Sequence, residues 1–309
     1  MTYLKALAKF VLTLFAASVA IFLLMRAVPG NPARVALGVN ATEDAVAELT
    51  QTLGLDRPLI TQYFEWVGGL LSGSFGTSLS SQQDITPLVL DRAQVSLILV
   101  GLAILLALAG AVPIGMWLAR TGNTLVSALT QIGIAIPSFL VGIIMVAFFA
   151  VRLGWLPANG WIPPDQDFGG FLARLVMPVI SLALVQGAML TRYVRSSIVD
   201  VMDQDYIRTA RALGLSHAEA LRRHGLRNAA LPVLTVTGLQ LTTLIVGAVV
   251  IESVFVIPGL GSMLLDAVSN RDLTTVQTLV MLLVFFTLAI NLATDLAYRV
   301  IDPRLKEKR

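Results

Sequence analysis

Six long stretches without a charged residue constrain this sequence more than any other feature. They lie between Lys9 and Arg26, Arg92 and Arg120, Arg120 and Arg152, Arg174 and Arg192, Arg227 and Glu252, and Asp272 and Asp295, and they contain 16, 27, 31, 17, 24 and 22 residues. A helix needs about 20 mainly apolar residues to cross a bilayer core of about 30 Å. We therefore predict six transmembrane helices, at about residues 7–28, 94–119, 124–151, 173–193, 229–252 and 273–298. A cleaved signal peptide is the alternative for the first stretch.

The amino-acid composition excludes most other classes of protein. Charged residues make up 13% of the 309 residues, whereas a typical soluble domain has about 25%. Such a chain has too little polar surface for a soluble globule, and its composition is not that of a disordered or collagen-like protein. The absence of cysteine and the presence of only two histidines, His217 and His224, exclude disulfides and a histidine-rich metal site. The remaining fold class is an all-α integral membrane protein, with a single transmembrane domain over residues 1–309.

Lysine and arginine residues are distributed unevenly between the predicted loops. With the N-terminus inside, 15 of the 22 face the cytoplasm and seven face outward. Because cytoplasmic loops of membrane proteins carry an excess of these residues, we predict that both termini are cytoplasmic. The outer side then has a long first segment, residues 30–92, and the inner side has a charged loop, residues 194–228.

The long outer segment contains an amphipathic pattern over residues 41–55. Thr42 can cap a helix there, and Val46, Leu49 and Leu53 recur with the spacing of one helix face. We predict a short helix, with an irregular solvated loop as the alternative.

The charged inner loop has helical signals of its own. Its first part is predicted to continue the fourth membrane helix to about Met202. Residues Asp205–Leu213 form a short amphipathic pattern that ends at Gly214, a residue type typical of the position just after a helix. Ser216, followed three residues later by Glu219, has the pattern of a capping box at the start of another helix. A helical loop of this kind favours a docking surface for a cytoplasmic partner, and an ordinary basic loop is the alternative.

Short motifs occur along nearly the whole chain in a characteristic order. They are RAVPGNP at 26–32, LGLDRPLITQYFEW at 53–66, GSFGTS at 73–78, IPSF at 136–139, DYIRTARALGLS at 205–216, RRHGLRNAALPVL at 222–234, ESVFVIPGLG at 252–261, NRD at 270–272 and DPR at 302–304. Together they resemble permease subunits of ATP-binding-cassette (ABC) importers, in the branch that handles dipeptides, oligopeptides and nickel. RAVPGNP and the long outer segment resemble the first of the two permease types in these systems.

The resemblance implies that the inner loop is the site of ATPase coupling. In the broad family a Glu-Ala-Ala motif precedes a glycine, and with Gly214 setting the register these positions are Arg208, Thr209 and Ala210. The implied role is therefore mechanical, a short helix seated in a cleft of the ATPase, and it does not depend on the glutamate. The residues implied in coupling are Asp205, Tyr206, Arg208, Thr209, Ala210, Arg211 and Gly214.

Two further groups of residues are candidates for the transport path. We expect an outer gate at Glu252, Pro258, Gly259 and Gly261, in which Glu252 either pairs with a basic residue of a partner permease or orients the PGLG turn. Polar side chains within apolar spans are candidates for the translocation path, and hydrogen bonding between helices is their alternative role. These polar residues are Gln131, Gln186, Gln240, Thr242 and Thr243.

The resemblance also implies a set of partners. The sequence contains no G-x-x-x-x-G-K-[ST] motif, so we expect this chain to bind no cofactor and ATP and Mg²⁺ to be bound by partner subunits. The implied partners are a second homologous permease subunit, two cytoplasmic ABC ATPase subunits or domains, an extracytoplasmic solute-binding protein and membrane lipid, with no nucleic acid. The implied location is the cytoplasmic (inner) membrane of a bacterium or archaeon.

The predicted function is import of di- or oligopeptides delivered by the binding protein, without covalent chemistry in this chain. The same machinery importing nickel or another metal chelate is one alternative. A stand-alone channel or secondary transporter is a second, but it needs intramembrane ionisable residues or an inverted repeat, and neither is evident. An intramembrane enzyme needs paired acids, a Ser–His site or a metal cluster, which the sequence does not provide.

Overall fold

The computed structural model describes residues 3–37 and 41–301, in which helices are joined by turns and loops. The DPR motif at 302–304 lies outside the described residues. The helices are α1 (Tyr3–Ala27), α2 (Pro32–Leu37), α3 (Glu43–Thr52), α4 (Leu59–Ser72), α5 (Thr86–Thr121), α6 (Thr124–Ala135), α7 (Ser138–Met145), α8 (Phe168–Met202), α9 (Asp205–Ala212), α10 (His217–Ala220), α11 (Leu226–Val254), α12 (Leu260–Ser269) and α13 (Leu273–Ile301). Two π-helical segments, Val146–Arg152 and Leu221–Gly225, continue α7 and precede α11.

Five helices of the described chain are long and apolar enough to cross a membrane, and a sixth span is formed if a bent pair counts as one. The bent pair is the predicted helix 124–151, which is broken between α6 and α7 with a bend of 98°. The break lies at Ile136 and Pro137, because proline has no N–H for the helix and disfavours helical geometry in the preceding residue. Ile136 accordingly adopts an extended conformation.

Other predicted boundaries differ because a charged residue ends a lipid-facing stretch without ending the helix. The predicted helix 94–119 is part of α5, which begins at Thr86 and includes Asp91 and Arg92. The predicted helix 173–193 lies within α8, and the end of α8 at Met202 agrees with the helical continuation predicted for the start of the inner loop. The short helix predicted in the outer segment is confirmed as α3, where Thr42 Oγ1 accepts a hydrogen bond from Ala45 N at 3.3 Å.

The described residues form two compact units. The first contains Leu97–Ile257 and the described residues from Ile290 to Ile301, and the second contains Leu4–Ser96 and Pro258–Ala289. In the first unit, α8 packs against α11, α6 and α7. In the second unit, α12 and the start of α5 pack together with α13 through a cluster of buried residues. Its members are Ile85, Val89, Leu260, Met263 and Leu279.

Candidate functional site

The inner loop is a folded part of the first unit and not a flexible connection. Its helix α9 buries Ile207, which is fully inaccessible, and Ala210. Both pack into one apolar cluster with residues of α8, α11 and the π-helical segment before α11. The other buried members of this cluster are Val194, Ile198, Val201, Ala220, Leu221 and Ala229.

The opposite face of α9 is exposed. Of the residues implied in coupling, Asp205, Tyr206, Arg208, Thr209, Arg211 and Gly214 are at the surface. Ala210 is buried and therefore anchors the helix instead of facing a partner. Sequence reasoning missed Leu213, whose side chain is 82% exposed at the end of α9. It lies next to the charged face of α9, so it joins the residues of the candidate coupling surface.

Local hydrogen bonds hold the ends of these helices as predicted. Gly214 has a φ of +94°, and its N–H donates to Arg211 O at 3.0 Å while Leu215 N donates to Ala210 O at 3.3 Å. The capping box of α10 is confirmed, with Glu219 N donating to Ser216 Oγ at 3.3 Å and Ser216 N donating to Glu219 Oε2 at 3.1 Å. The loop therefore presents one defined surface.

Further hydrogen bonds connect the loop to the membrane helices. Ser197 Oγ on α8 donates to Ala229 O on α11 at 2.6 Å, and Ser197 is buried. Asn228 Nδ2 donates to Tyr206 Oη at 2.9 Å and so holds the aromatic ring at the start of α9. The loop is thus fixed to both α8 and α11.

Gly225 is required by close packing beneath the loop. A Cβ at this position would lie 2.8 Å from Leu221 Cδ1 and 2.9 Å from Val201 Cγ1. We expect Gly225→Ala to lower the free energy of unfolding by about 1–3 kcal/mol, because overpacking displaces neighbouring side chains. Thermal unfolding of the purified variant measures this. Gly101→Ala on α5 is the matched control, since a Cβ there meets nothing within 4 Å, and equal unfolding midpoints for the two variants would contradict the packing argument.

The predicted outer gate includes residues from both units. In the first unit, Glu252 is only 1% exposed, and its carbonyl oxygen accepts a hydrogen bond from Ile257 N at 2.8 Å. The assignment of Glu252 to an outer gate stays a prediction. In the second unit, Gly259 and Gly261 are buried and Pro258 is half-buried.

The PGLG turn is held by side chains of the second unit. Ser262 Oγ accepts from Gly259 N at 3.1 Å, and Ser96 Oγ accepts from Leu260 N at 2.8 Å. Arg92 Nη1 donates to Ser262 Oγ at 3.2 Å. The turn is therefore attached to α5 at the point where α12 begins.

The candidate path residues have two kinds of environment. Gln186 and Gln240 are buried. Thr242 Oγ1 and Thr243 Oγ1 donate to carbonyl oxygens of their own helix, at Gly238 and Leu239. Their assignment to a translocation path stays a prediction.

A buried carboxylate that the sequence pattern did not single out organises the second unit. Asp272 accepts hydrogen bonds from Ser78 Oγ (2.5 Å), Leu79 N (3.0 Å) and Thr275 Oγ1 (2.8 Å), and further bonds from Thr275 N, Thr274 Oγ1 and Ser80 Oγ. Burial alone would raise the pKa of Asp272, but these hydrogen bonds outweigh it and lower the pKa below its ordinary value. One feature of the sequence near Asp272 pointed to its role. It lies three residues before Thr275, at a position where an aspartate can cap the start of a helix.

The described residues contain no group of three or more His, Asp or Glu side chains placed to hold a metal ion.

The comparisons with known proteins identify the family. The family model described as binding-protein-dependent transport system inner membrane component matches residues 111–307. The chain belongs to this family. The family's N-terminal model matches residues 3–100 of the permease.

Curated relatives cover almost the whole permease. It is 37% identical to a probable peptide ABC transporter permease of Sinorhizobium fredii, over 93% of each chain. It is 36% identical to the glutathione transport system permease protein GsiC of Salmonella choleraesuis, over 99% of this chain and 98% of the relative. The resemblance stated from the sequence motifs is thereby confirmed.

Solved structures share the fold. A structure of the MetNI methionine ABC transporter in an inward-facing conformation matches 71% of the permease and 98% of its own chain, with a TM-score of 0.58 and 19% identity. An amino acid ABC transporter matches 69% of the permease and 94% of its own chain, with a TM-score of 0.53 and 19% identity. The predicted fold class, an importer-type membrane permease, is confirmed.

Proposed function

We propose that this permease imports peptides, and that α9 with Leu213 and Gly214 is the surface on which a cytoplasmic ATPase acts. The names of the curated relatives, which refer to peptides and to glutathione, support the peptide class. ATP and Mg²⁺ are bound by the separate ATPase subunits. The complex contains two of these subunits or domains, a second permease subunit and a solute-binding protein.

The observation that carries this proposal is the division of α9 into an anchored face and an exposed face. Ile207 and Ala210 pack against α8 and α11, while Leu213 and the charged side chains point to solvent. A force applied to the exposed face is therefore transmitted to two membrane helices through packed contacts. Rigid displacement of packed helices is an established way to alternate access to a site.

The outer turn and the path complete the proposal. Glu252 orients the end of α11, and Pro258, Gly259 and Gly261 form the turn at the outer gate. Gln186, Gln240, Thr242 and Thr243 contribute polar groups to the path.

Uptake of an equimolar mixture of synthetic di- to pentapeptides into proteoliposomes, with a nickel chelate as competing cargo, tests the substrate class. Uptake of nickel without any peptide would contradict it.

Gly214→Pro should abolish ATP-driven uptake while membrane insertion is unchanged. Proline fixes φ near −65° and removes the N–H that donates to Arg211 O, so it cannot adopt the φ of +94° found here. Gly214→Asn is the control, because asparagine tolerates this left-handed conformation better than other residues, and it should retain most uptake. Uptake by the proline variant equal to that of the unmodified permease would contradict a mechanical role for this turn.

A further inference from the structure

A cavity of about 270 Å³ in the second unit is lined by three sequence motifs that belong neither to the coupling surface nor to the outer gate. The motifs are RAVPGNP at 26–32, LGLDRPLITQYFEW at 53–66 and GSFGTS at 73–78, and the start of α13 completes the lining. Ligand pockets commonly have volumes of roughly 300–1,000 Å³. This cavity therefore has room only for a small molecule.

Arg26 contributes a positive charge to the cavity. Its Nε and Nη2 both donate to Gln62 Oε1, at 3.0 and 2.7 Å, and its guanidinium lies 4.9 Å from the centre of the Phe22 ring. Gln62 Nε2 donates in turn to the carbonyl oxygens of Leu55 and Arg57. Within the described ranges this half-buried guanidinium forms no ion pair with a carboxylate. Neutral groups thus hold it in place and leave its charge for an anionic group of a ligand.

Gln277 lines the same cavity with an amide group that the chain does not use. The residue is only 4% exposed, yet its side chain forms no hydrogen bond with the residues that the structure describes. Buried polar side chains nearly always have a partner. A free amide provides one acceptor and two donors, so Gln277 is suited to bind a carboxylate or an amide group of a ligand.

Glu65 adds a negative charge. Its Oε1 accepts a hydrogen bond from Arg57 Nη1 at 2.6 Å, whereas its Oε2 has no partner in the part of the chain that the structure describes. Trp66 and Phe75 add aromatic surface, and Trp66 Nε1 donates to Thr278 Oγ1 at 3.3 Å. The cavity therefore offers a cation, an anion, a free amide and apolar surface, which together complement a small zwitterion.

We propose that this cavity binds a dipeptide, with the ligand's carboxylate on Arg26 and Gln277 and its ammonium group on Glu65. The choice of a peptide rests on the import function proposed above. The residues of this site belong to the second unit, whereas the candidate path residues belong to the first, so this peptide site is additional to the predicted path. A phosphatidylethanolamine headgroup carries the same pair of charges, and the test separates the two sources.

The test measures binding of radiolabelled L-alanyl-L-alanine by equilibrium dialysis. It uses the whole complex of both permease subunits and the ATPase subunits in phosphatidylglycerol nanodiscs, without ATP or binding protein. The unmodified complex should bind L-alanyl-L-alanine amide at least tenfold more weakly, because that ligand lacks the carboxylate. Arg26→Gln should weaken binding of the acid at least tenfold and remove the preference for acid over amide. Adding phosphatidylethanolamine to the nanodiscs should leave dipeptide binding unchanged.

Gln277→Leu should also weaken binding of the acid at least tenfold, and Gln51→Leu is its matched control. Gln51 undergoes the same chemical change at an exposed position of α3 in the same unit, outside the cavity, and this variant should bind as the unmodified complex does. If Arg26→Gln does not assemble, the comparison of the two leucine variants decides the outcome.

The proposal is overturned if the unmodified complex shows no saturable dipeptide binding, if the preference for acid persists in Arg26→Gln, or if the two leucine variants bind alike. Loss of dipeptide binding when phosphatidylethanolamine is added would also overturn it, by assigning the cavity to a lipid headgroup. Dialysis requires no transport. Peptide uptake without this binding pattern would defeat the site and leave the proposed function standing, whereas this pattern in a complex that imports only nickel would do the reverse.

Discussion

Leu213→Glu should lower the affinity of the permease for its ATPase subunit by about 100-fold or more, because a charge buried without a partner costs several kcal/mol at an interface. The side chain is 82% exposed in the isolated permease, so the substitution leaves the fold unchanged. Titration of the ATPase subunit onto detergent-solubilised permease measures the affinity. ATP-driven uptake should fall with it.

Leu71→Glu is the control for this prediction. Leu71 is 85% exposed at the end of α4, in the segment predicted to lie on the outer side, and it undergoes the same chemical change. It should bind the ATPase as well as the unmodified permease does. Equal affinities for the Leu213 and Leu71 variants would show that α9 does not seat on the ATPase through Leu213.

Asp272→Ala should lower the free energy of unfolding of the permease by about 3 kcal/mol, since hydrogen bonds to a charged group contribute about 1.5–3 kcal/mol each and buried donors are left without an acceptor. The donors include Ser78 Oγ, Leu79 N and Thr275 Oγ1. We expect a lower unfolding midpoint and faster proteolysis within residues 76–85. Asp266→Ala on the exposed side of α12 is the control, and it should be close to neutral.

The same carboxylate predicts a dependence of stability on pH. The pKa of Asp272 is lowered in the folded protein, so its contribution is fully present above the unfolded pKa of about 3.9 and is lost as the pH falls through the lower, folded pKa. The difference in stability between the unmodified permease and Asp272→Ala should therefore be constant near neutral pH. It should shrink only in strongly acidic solution, and a difference that shrinks between pH 6 and 8 would contradict this assignment.

The membrane spans could be predicted from the sequence because the bilayer excludes charge, and uncharged stretches are visible without any structure. The start of α5 could not be predicted equally well, since this helix begins at Thr86, ahead of the charged residues Asp91 and Arg92. The break at Pro137 had a signal, because 31 uncharged residues are more than one span requires. The 98° bend itself depends on the packing of α6 and α7 against α8.

In the candidate coupling site, some features depend on a few neighbouring residues and others depend on how the whole chain packs. Gly214 and the Ser216–Glu219 capping box follow from rules that act over a few residues, and both were predicted. Ile207, Ala210 and Leu213 share a three-residue spacing that places all of them on one helix face. The structure separates them, because α9 ends at Ala212 and Leu213 turns outward.

The hydrogen bonds that Asp272 accepts from Ser78 and Leu79 had no usable signal in one sequence. Ser78 and Leu79 lie more than 190 residues from Asp272 along the chain, so only the folded second unit brings them together. This network comes from tertiary packing that local propensity does not encode.

The central claim, that α9 is the surface on which the ATPase acts, is tested most directly by site-specific crosslinking. The permease contains no cysteine, so Thr209→Cys on the exposed face of α9 and Ser72→Cys on α4 each provide a unique attachment point for a photoreactive maleimide. In assembled, ATP-hydrolysing complexes, the account predicts that the Thr209 adduct contains the ATPase subunit and that the Ser72 adduct does not. An active complex in which position 209 yields no ATPase adduct, or in which position 72 does, would contradict it.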